Sequence, residues 1–264
     1  MGKYFQVTIK PTIDVASLAA GNIDDTEILF DWFGFDIPKG VARLMDITML
    51  YRGKNATAAT AQDLELIWAK GNVDGSAPIT LGDDGAIADT PGSIHNIVGK
   101  TFIDVSAGTN DADLAAVSTS KIVTTAYTNG GAAASHGVIN FGYMGNYNLL
   151  LQGQPNSGTS VGYDKVYVAG IAKATHNWGA STMTIDTPIP STERPTVTVA
   201  DVTALTSLSV GDVLRDEDNL LIGTIKSVDS ATVITLEDNS ASAPAENKLV
   251  YNTTPITFVL SFEI

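Results

Sequence analysis

The chain has 264 residues, 29 acidic and 15 basic, for a net charge of -14, and it contains no cysteine. Without cysteine there is no disulfide, thiol nucleophile or thiolate metal site, and acidity on this scale repels nucleic-acid phosphates and anionic membranes. No apolar run approaches the ~20 residues needed to span a bilayer, so neither nucleic acid nor membrane is expected as a partner.

The start, Met1-Gly2-Lys3-Tyr4-Phe5, lacks the apolar core of a signal peptide and enters a strand at once. Phe5, Val7 and Ile9 alternate with Gln6, Thr8 and Lys10, and Pro11 ends the run. Ala16, Leu18, Ala19 and Ala20 predict one helical turn before Gly21-Asn22. Three runs with strand character follow. Ile28–Phe35 offers Ile28, Phe30 and Trp32 on one face. Val41–Arg52 offers Val41, Met45, Ile47, Met49 and Tyr51. Asp63–Lys70 offers Leu64, Leu66 and Trp68. Side chains in a strand alternate with period two, so each run presents one apolar wall to a core. Pro38-Lys39-Gly40 and Gly53-Lys54-Asn55 supply the breaks, because Pro fixes φ while Gly and Asn tolerate positive φ.

Gly71 to Gly92 is rich in turn residues. A helix is expected after Pro91, capped by Ser93, because Ile94, Ile97, Val98 and Phe102 fall at helical spacing. Short strands are expected at Lys121–Tyr127, Val138–Phe141, Asn148–Gln152 and Lys165–Lys173. Pro188, Pro190 and Pro195 resemble a stiff connector. From Thr196 to about Val250 the chain reads as a compact unit. It has a strand at Val197 and Val199, a turn into another over Leu208–Leu214, and a hairpin of Leu220–Val228 with Thr232–Leu236. Several short strands in so few residues suit a small barrel near the lower size limit for independent folding.

The last run, Ile256, Phe258, Leu260, Phe262 and Ile264 alternating with Thr257, Val259, Ser261 and Glu263, is the most regular strand in the chain. A strand this apolar must be paired and covered. It is expected to return to the main body beside Phe5, Val7 and Ile9. The fold expected is therefore all-β. Residues 1–195 with 251–264 form a jelly-roll or β-sandwich body with one short helix. Residues 196–250 form a small SH3- or OB-like β-barrel inserted before the last strand.

Chemistry is hard to find. His95, His136 and His176 lie far apart and in no metal-ligand spacing, and ordinary surface or loop positions are expected for them. There is no Gly-x-Ser-x-Gly elbow and no His-Glu-x-x-His. Gly99-Lys100-Thr101 imitates the end of a phosphate loop, but Ile94 stands where the motif needs its first Gly. Asp83-Asp84, Asp111 with Asp113, and Asp216-Glu217-Asp218 are acidic clusters without the EF-hand pattern. Asn55-Ala56-Thr57 and Asn252-Thr253-Thr254 fit the glycosylation pattern, which carries no weight without a secretory signal. Tyr143, Tyr147 and Trp178 could line a sugar-binding face, against the simpler expectation of core or interface packing. No catalytic, cofactor-binding or metal-ligating set emerges, and no cofactor is expected.

Two passages carry a resemblance. Val41-Ala42-Arg43-Leu44-Met45-Asp46-Ile47-Thr48-Met49-Leu50-Tyr51-Arg52-Gly53, followed by Asp63-Leu64-Glu65-Leu66-Ile67-Trp68-Ala69-Lys70, resembles virion structural proteins of tailed bacteriophages. Val210-Gly211-Asp212-Val213-Leu214, Ile222–Val228 and Thr232–Leu236 resemble small β-barrel modules grafted onto such proteins. The resemblance covers about half the chain and brings no catalytic residues with it. It implies a non-enzymatic capsid decoration, or cement, protein on the capsid surface, made in the host bacterial cytoplasm. The major capsid protein would be its partner, and a homo-oligomer, a trimer at a threefold site, would bind it. Another virion component (tail, neck or adsorption protein) and a carbohydrate-binding β-sandwich are the alternative expectations.

Overall fold

The computed structural model describes residues 3–52, 62–82, 96–103, 111–113, 120–124, 149–155, 162–178, 183–189, 194–200 and 208–264. Two antiparallel sheets face each other. One has the order β1 (Tyr4–Ile9), β16 (Ile256–Glu263), β3 (Val41–Arg52), β7 (Ser120–Thr124), β6 (Asp111–Asp113), with β8 (Leu149–Gln152) also paired to β3. The other has the order β2 (Ile28–Pro38), β10 (Tyr163–Ala172), β4 (Leu64–Lys70), β5 (Ile97–Ile103), with β9 (Gln154–Pro155) paired to β10.

The apolar walls meet between these sheets. Ile256, Phe258, Leu260 and Phe262 are all buried, and so are Leu64, Leu66 and Trp68. Phe258 packs against Phe30 with ring centroids 6.0 Å apart, and Phe35 meets both Phe262 and Trp68 at 6.2 Å. The last strand lies between the first strand and β3. Phe5 is opposite Phe262, Val7 opposite Leu260 and Ile9 opposite Phe258. The helical turn is α1 (Val15–Ala20), capped by the Asp14 carboxylate, which accepts from the Ala16 N–H at 2.8 Å.

Three expectations about the walls need correction. The segment Ile97–Ile103 is a strand paired with β4, and no helix. Its helical spacing coexists with period two. Gly99, Thr101 and Ile103 face inward, Gly interrupts a helix at a cost, and the Leu149 side chain packs where a Cβ on Gly99 would stand. Ser93 and Ile94 lie outside the described residues. In β3, Val41 and Met45 are 46 % and 41 % exposed, while Ala42 and Leu44 are buried. A bulge moves the register from Ser261 opposite Asp46 to Phe262 opposite Leu44, and the extra residue exchanges the two faces. In β2, two irregularities against β10 separate Phe30 from Ile28 and Trp32. Phe30 turns into the main core over Gly170, where a Cβ would collide with its ring. Ile28 and Trp32 instead pack with Leu81 and Ala169 on the other face of the sheet.

A third sheet has the order β11 (Thr196–Thr198), β14 (Val233–Leu236), β13 (Leu221–Val228), β12 (Val213–Asp216), β15 (Val250–Asn252). Its two ends are joined by the segment Met183–Asp186. Thr184 bridges Leu249, next to β15, and Ile185 bridges Val199, next to β11. Backbone bonds from Ile185 N to Lys248 O (2.9 Å) and from Asp186 N to Thr198 O (3.1 Å) complete the closure into a small barrel. Met183, Ile185 and Ile189 share its core with Val197, Leu214, Ile222, Ile225, Ile234 and Val250. The stretch ahead of Pro195 is thus packed structure where a bare connector was expected; Pro190 lies outside the described residues. β15 serves both cores, with Val250 in the barrel and Tyr251 in the sandwich. Lys121–Thr124 belongs to β7, whereas residues 125–127 and the strand expected at Val138–Phe141 lie outside the described residues.

Candidate functional site

The most elaborate side-chain chemistry lies where the barrel meets the sandwich. β3 ends in Arg52 and β1 runs into Lys10, so both strands deliver a cation to one end of the sandwich. The barrel delivers Asp212 from the turn Ser209-Val210-Gly211-Asp212. Gly211 takes φ +81° there, a conformation that favours glycine. Asp212 is fully buried and Arg52 nearly so.

The Arg52 guanidinium forms a short ion pair through Nη1 with Asp212 Oδ2. It also donates to Ser209 Oγ (2.9 Å), the Thr254 carbonyl (2.6 Å) and Thr257 Oγ1 (3.2 Å). Lys10 Nζ reaches Asp212 Oδ1 at 2.9 Å and the Val210 carbonyl at 2.6 Å. Asp212 Oδ2 accepts further from the Ser209 N–H and from Asn252 Nδ2, each at 2.9 Å. One buried carboxylate therefore ties two sandwich strands to the barrel. A buried pair of this kind adds little net stability against an apolar replacement, because desolvation offsets attraction. Removing one partner alone costs about 3–5 kcal/mol.

A second layer supports Arg52. Its carbonyl accepts from Trp178 Nε1 at 3.1 Å. The Trp178 ring stacks on Tyr51 and His176, with centroids 5.2 and 5.6 Å away. His176 is fully buried. Its Nε2 lies 3.0 Å from the Asp63 carbonyl and its Nδ1 3.2 Å from the Tyr51 hydroxyl. A carbonyl can only accept, so the proton sits on Nε2 and Nδ1 accepts from Tyr51. Burial pushes the His176 pKa down to about 4 and pushes Tyr51 far above its ordinary value. Next to the junction is a shallow cleft of about 190 Å³, lined by Asp14, Asp31, Arg215 and Asn219 over Ile13 and Leu29. Its polar groups are engaged: Asn219 donates to Asp14 at 3.2 Å, Arg215 to the Asn219 carbonyl at 2.7 Å, and Asp31 accepts from Thr80 at 2.6 Å.

The residues singled out in the sequence fare differently. His176 is no surface histidine, since Ile23 pairs with its backbone and the aromatic stack encloses its ring; His95 and His136 lie outside the described residues. Trp178 is buried in the sandwich core and offers no sugar platform; Tyr143 and Tyr147 lie outside the described residues. Gly99-Lys100-Thr101 is strand, with Lys100 paired to Glu65 at 2.6 Å and Thr101 accepting from Trp68 Nε1 at 3.1 Å. Asn252 holds Asp212 and accepts from the Thr254 N–H at 2.9 Å, so its amide is committed within the fold and not presented to a glycan. Asn55, like Asp83 and Asp84, lies outside the described residues. Asp216 accepts from two turn amides, and Glu217 and Asp218 pair with Lys248 at 2.7 and 2.9 Å. No group of three or more potential metal ligands exists among the described residues. Arg52 and Asp212 stand 160 positions apart, and neither was singled out in the sequence as a candidate. The available signal was an arginine closing an otherwise largely apolar strand.

Comparison with protein families, with curated proteins and with solved structures finds no match.

Proposed function

We propose that the protein is a non-enzymatic structural component of a phage virion that decorates the capsid and stabilises its lattice through protein–protein contacts. The observation that carries this reading is the junction. A barrel tied to a sandwich by the Arg52–Asp212–Lys10 network would hold its outer surfaces at a set angle. A cement protein needs that property, because its contacts must match a repeating lattice. The resemblance of Val41–Gly53, Asp63–Lys70 and the barrel strands to phage virion proteins supplies the biological setting.

In this role the sandwich grips neighbouring copies of the major capsid protein, and the barrel, which includes Met183–Ile189 in its core, projects outward. The chain is made in the host bacterial cytoplasm and ends on the capsid surface. It acts as a homo-oligomer, which multiplies contact area. Stabilisation follows from mass action, since a protein that binds only the assembled lattice raises the free energy of its disassembly. The net charge of -14 supports a protein partner over nucleic acid or an anionic membrane. A mass-spectrometric inventory of purified particles, followed by a reconstruction, tests the proposal. Copies at regular capsid positions are the expected result. Density confined to the tail or neck would assign the chain to another virion component, and absence from purified particles would end the virion reading.

A further inference from the structure

We propose that the open edge of β1 is a homotypic interface, at which two copies of the chain pair their β1 strands antiparallel about Gln6. The two β1-containing sheets then become one continuous sheet.

The argument begins with which backbone groups are used. Among the described residues β1 is the end of its sheet, paired on one side only, with β16. Lys3 and Ile264 exchange both backbone bonds, Lys3 N to Ile264 O at 3.5 Å and Ile264 N to Lys3 O at 2.9 Å. Bonded and non-bonded pairs alternate along an antiparallel ladder. Phe5, Val7 and Ile9 therefore turn their N–H and C=O groups toward β16, whereas Tyr4, Gln6 and Thr8 turn theirs outward, with no partner among the described residues. Tyr4 is 72 % exposed, and Phe5 and Val7 remain half-buried although they face the core. Among the described residues the sandwich is unfinished on this side, in both hydrogen bonding and packing.

Protected edges carry a bulge, a proline or an inward charge. β2, the nearby edge of the facing sheet, has two irregularities and ends in Pro38. β1 keeps a regular register throughout and has neither proline nor charge between Lys3 and Lys10.

A second copy fits this edge best. Centred on Gln6, a two-fold pairing sets Gln6 opposite Gln6 and Tyr4 opposite Thr8. All the outward groups of both strands then meet as bonded pairs, because paired residues have the same parity. Phe5 falls opposite Val7 of the other copy on the inward face, and each covers the other's half-exposed side. Charge does not oppose this edge. The chain carries -14 overall, so most of its surface repels a copy of itself, yet β1 itself holds no charged residue between Lys3 and Lys10, and Lys10 is already paired with Asp212. In this register Lys3 lies opposite Ile9, and no like charges oppose each other directly. One strand pair buries less than the roughly 1,600 Å² of a standard interface, so the dimer depends on concentration. The contact is two-fold, and it replaces the trimer expected from the resemblance as the smallest assembly. It stands whether or not the chain belongs to a virion.

The absence of cysteine makes the test clean. Bonded antiparallel partners stand ~5.5 Å apart at Cα, within reach of a disulfide. The untagged full chain is prepared as Gln6→Cys, Tyr4→Cys and Thr8→Cys. Under mild oxidation Gln6→Cys should form covalent dimer at least about tenfold faster than either other variant alone, while mixing Tyr4→Cys with Thr8→Cys should restore crosslinking. Sedimentation equilibrium of the unmodified chain over about 1–100 μM should show monomer passing to dimer. Gln6→Pro removes an outward N–H that β16 does not use, so its circular dichroism should be unchanged and its dimer lost. A monomer throughout that range, equal crosslinking at the three positions, or a dimer that survives Gln6→Pro would overturn the proposal. The crosslinking comparison decides even if Gln6→Pro fails to fold.

Discussion

Acid should weaken this protein through His176 before it reaches the carboxylates. The ring is fully buried, its Nε2–H is committed to the Asp63 carbonyl, and its pKa is pushed down to about 4. In the unfolded chain a histidine takes its proton near 6.5. Between those values the unfolded state binds a proton that the folded state refuses. Stability is therefore fully retained above about pH 6.5 and is lost as the pH falls from there toward 4. Integrating between about pH 7.5 and about pH 5 gives a loss of about 2 kcal/mol from this one group. The partner for the comparison is His176→Gln, whose amide can donate to Asp63 and accept from Tyr51 but does not titrate. Urea titrations at both pH values, followed by tryptophan fluorescence, read the sandwich directly, because Trp32, Trp68 and Trp178 all lie in it. His95 and His136 are common to both proteins, so whatever they contribute cancels. The variant should be less stable at neutral pH, through lost stacking, but its stability should change by about 2 kcal/mol less between the two pH values. Parallel pH dependences would refute the reasoning and mean that the ring is protonated in the folded state at pH 5.

Further outcomes follow from the packing and the junction. Phe258→Ala should cost about 3–5 kcal/mol in urea titrations, and Ser261→Ala, on the outer face of the same strand, less than about 1 kcal/mol; equal losses would mean that the register of β16 is wrong. Thr257 is no neutral control on that strand, because its hydroxyl accepts from Arg52 at 3.2 Å. Asp212→Ala takes the carboxylate away from the buried Arg52 guanidinium and should cost about 3–5 kcal/mol, whereas Arg52→Met with Asp212→Leu should recover most of that loss; a double variant as unstable as the single one would show that the network acts by more than charge pairing. Excising residues 196–250 leaves Met183, Ile185 and Ile189 without their core and should yield insoluble protein, while excising 183–250 together with Arg52→Met should leave a soluble sandwich. Size-exclusion chromatography of the two deletions separates the cases, and equal behaviour would place Met183–Ile189 outside the barrel.

Local alternation was enough to read the strands whose partners add no complication. Leu64, Leu66 and Trp68 form one wall, Ile256 to Phe262 form another, and the hairpin of β13 and β14 sits where its turn residues Asp229-Ser230-Ala231 stand. The placement of the last strand beside Phe5, Val7 and Ile9 was also legible, because so apolar a strand has no stable place outside a core. Tertiary structure alone decided the rest. Whether Val41 and Met45 face the core depends on a bulge against Phe262, and a bulge is a property of two strands, invisible in either one. Ile97–Phe102 satisfied a helical spacing, and its pairing with β4 overruled it. Arg52, Lys10 and Asp212 are unremarkable one by one. They become a junction because folding brings positions about 160 and 200 residues apart within hydrogen-bonding distance around a buried carboxylate, where a charge is held by the partners that meet it.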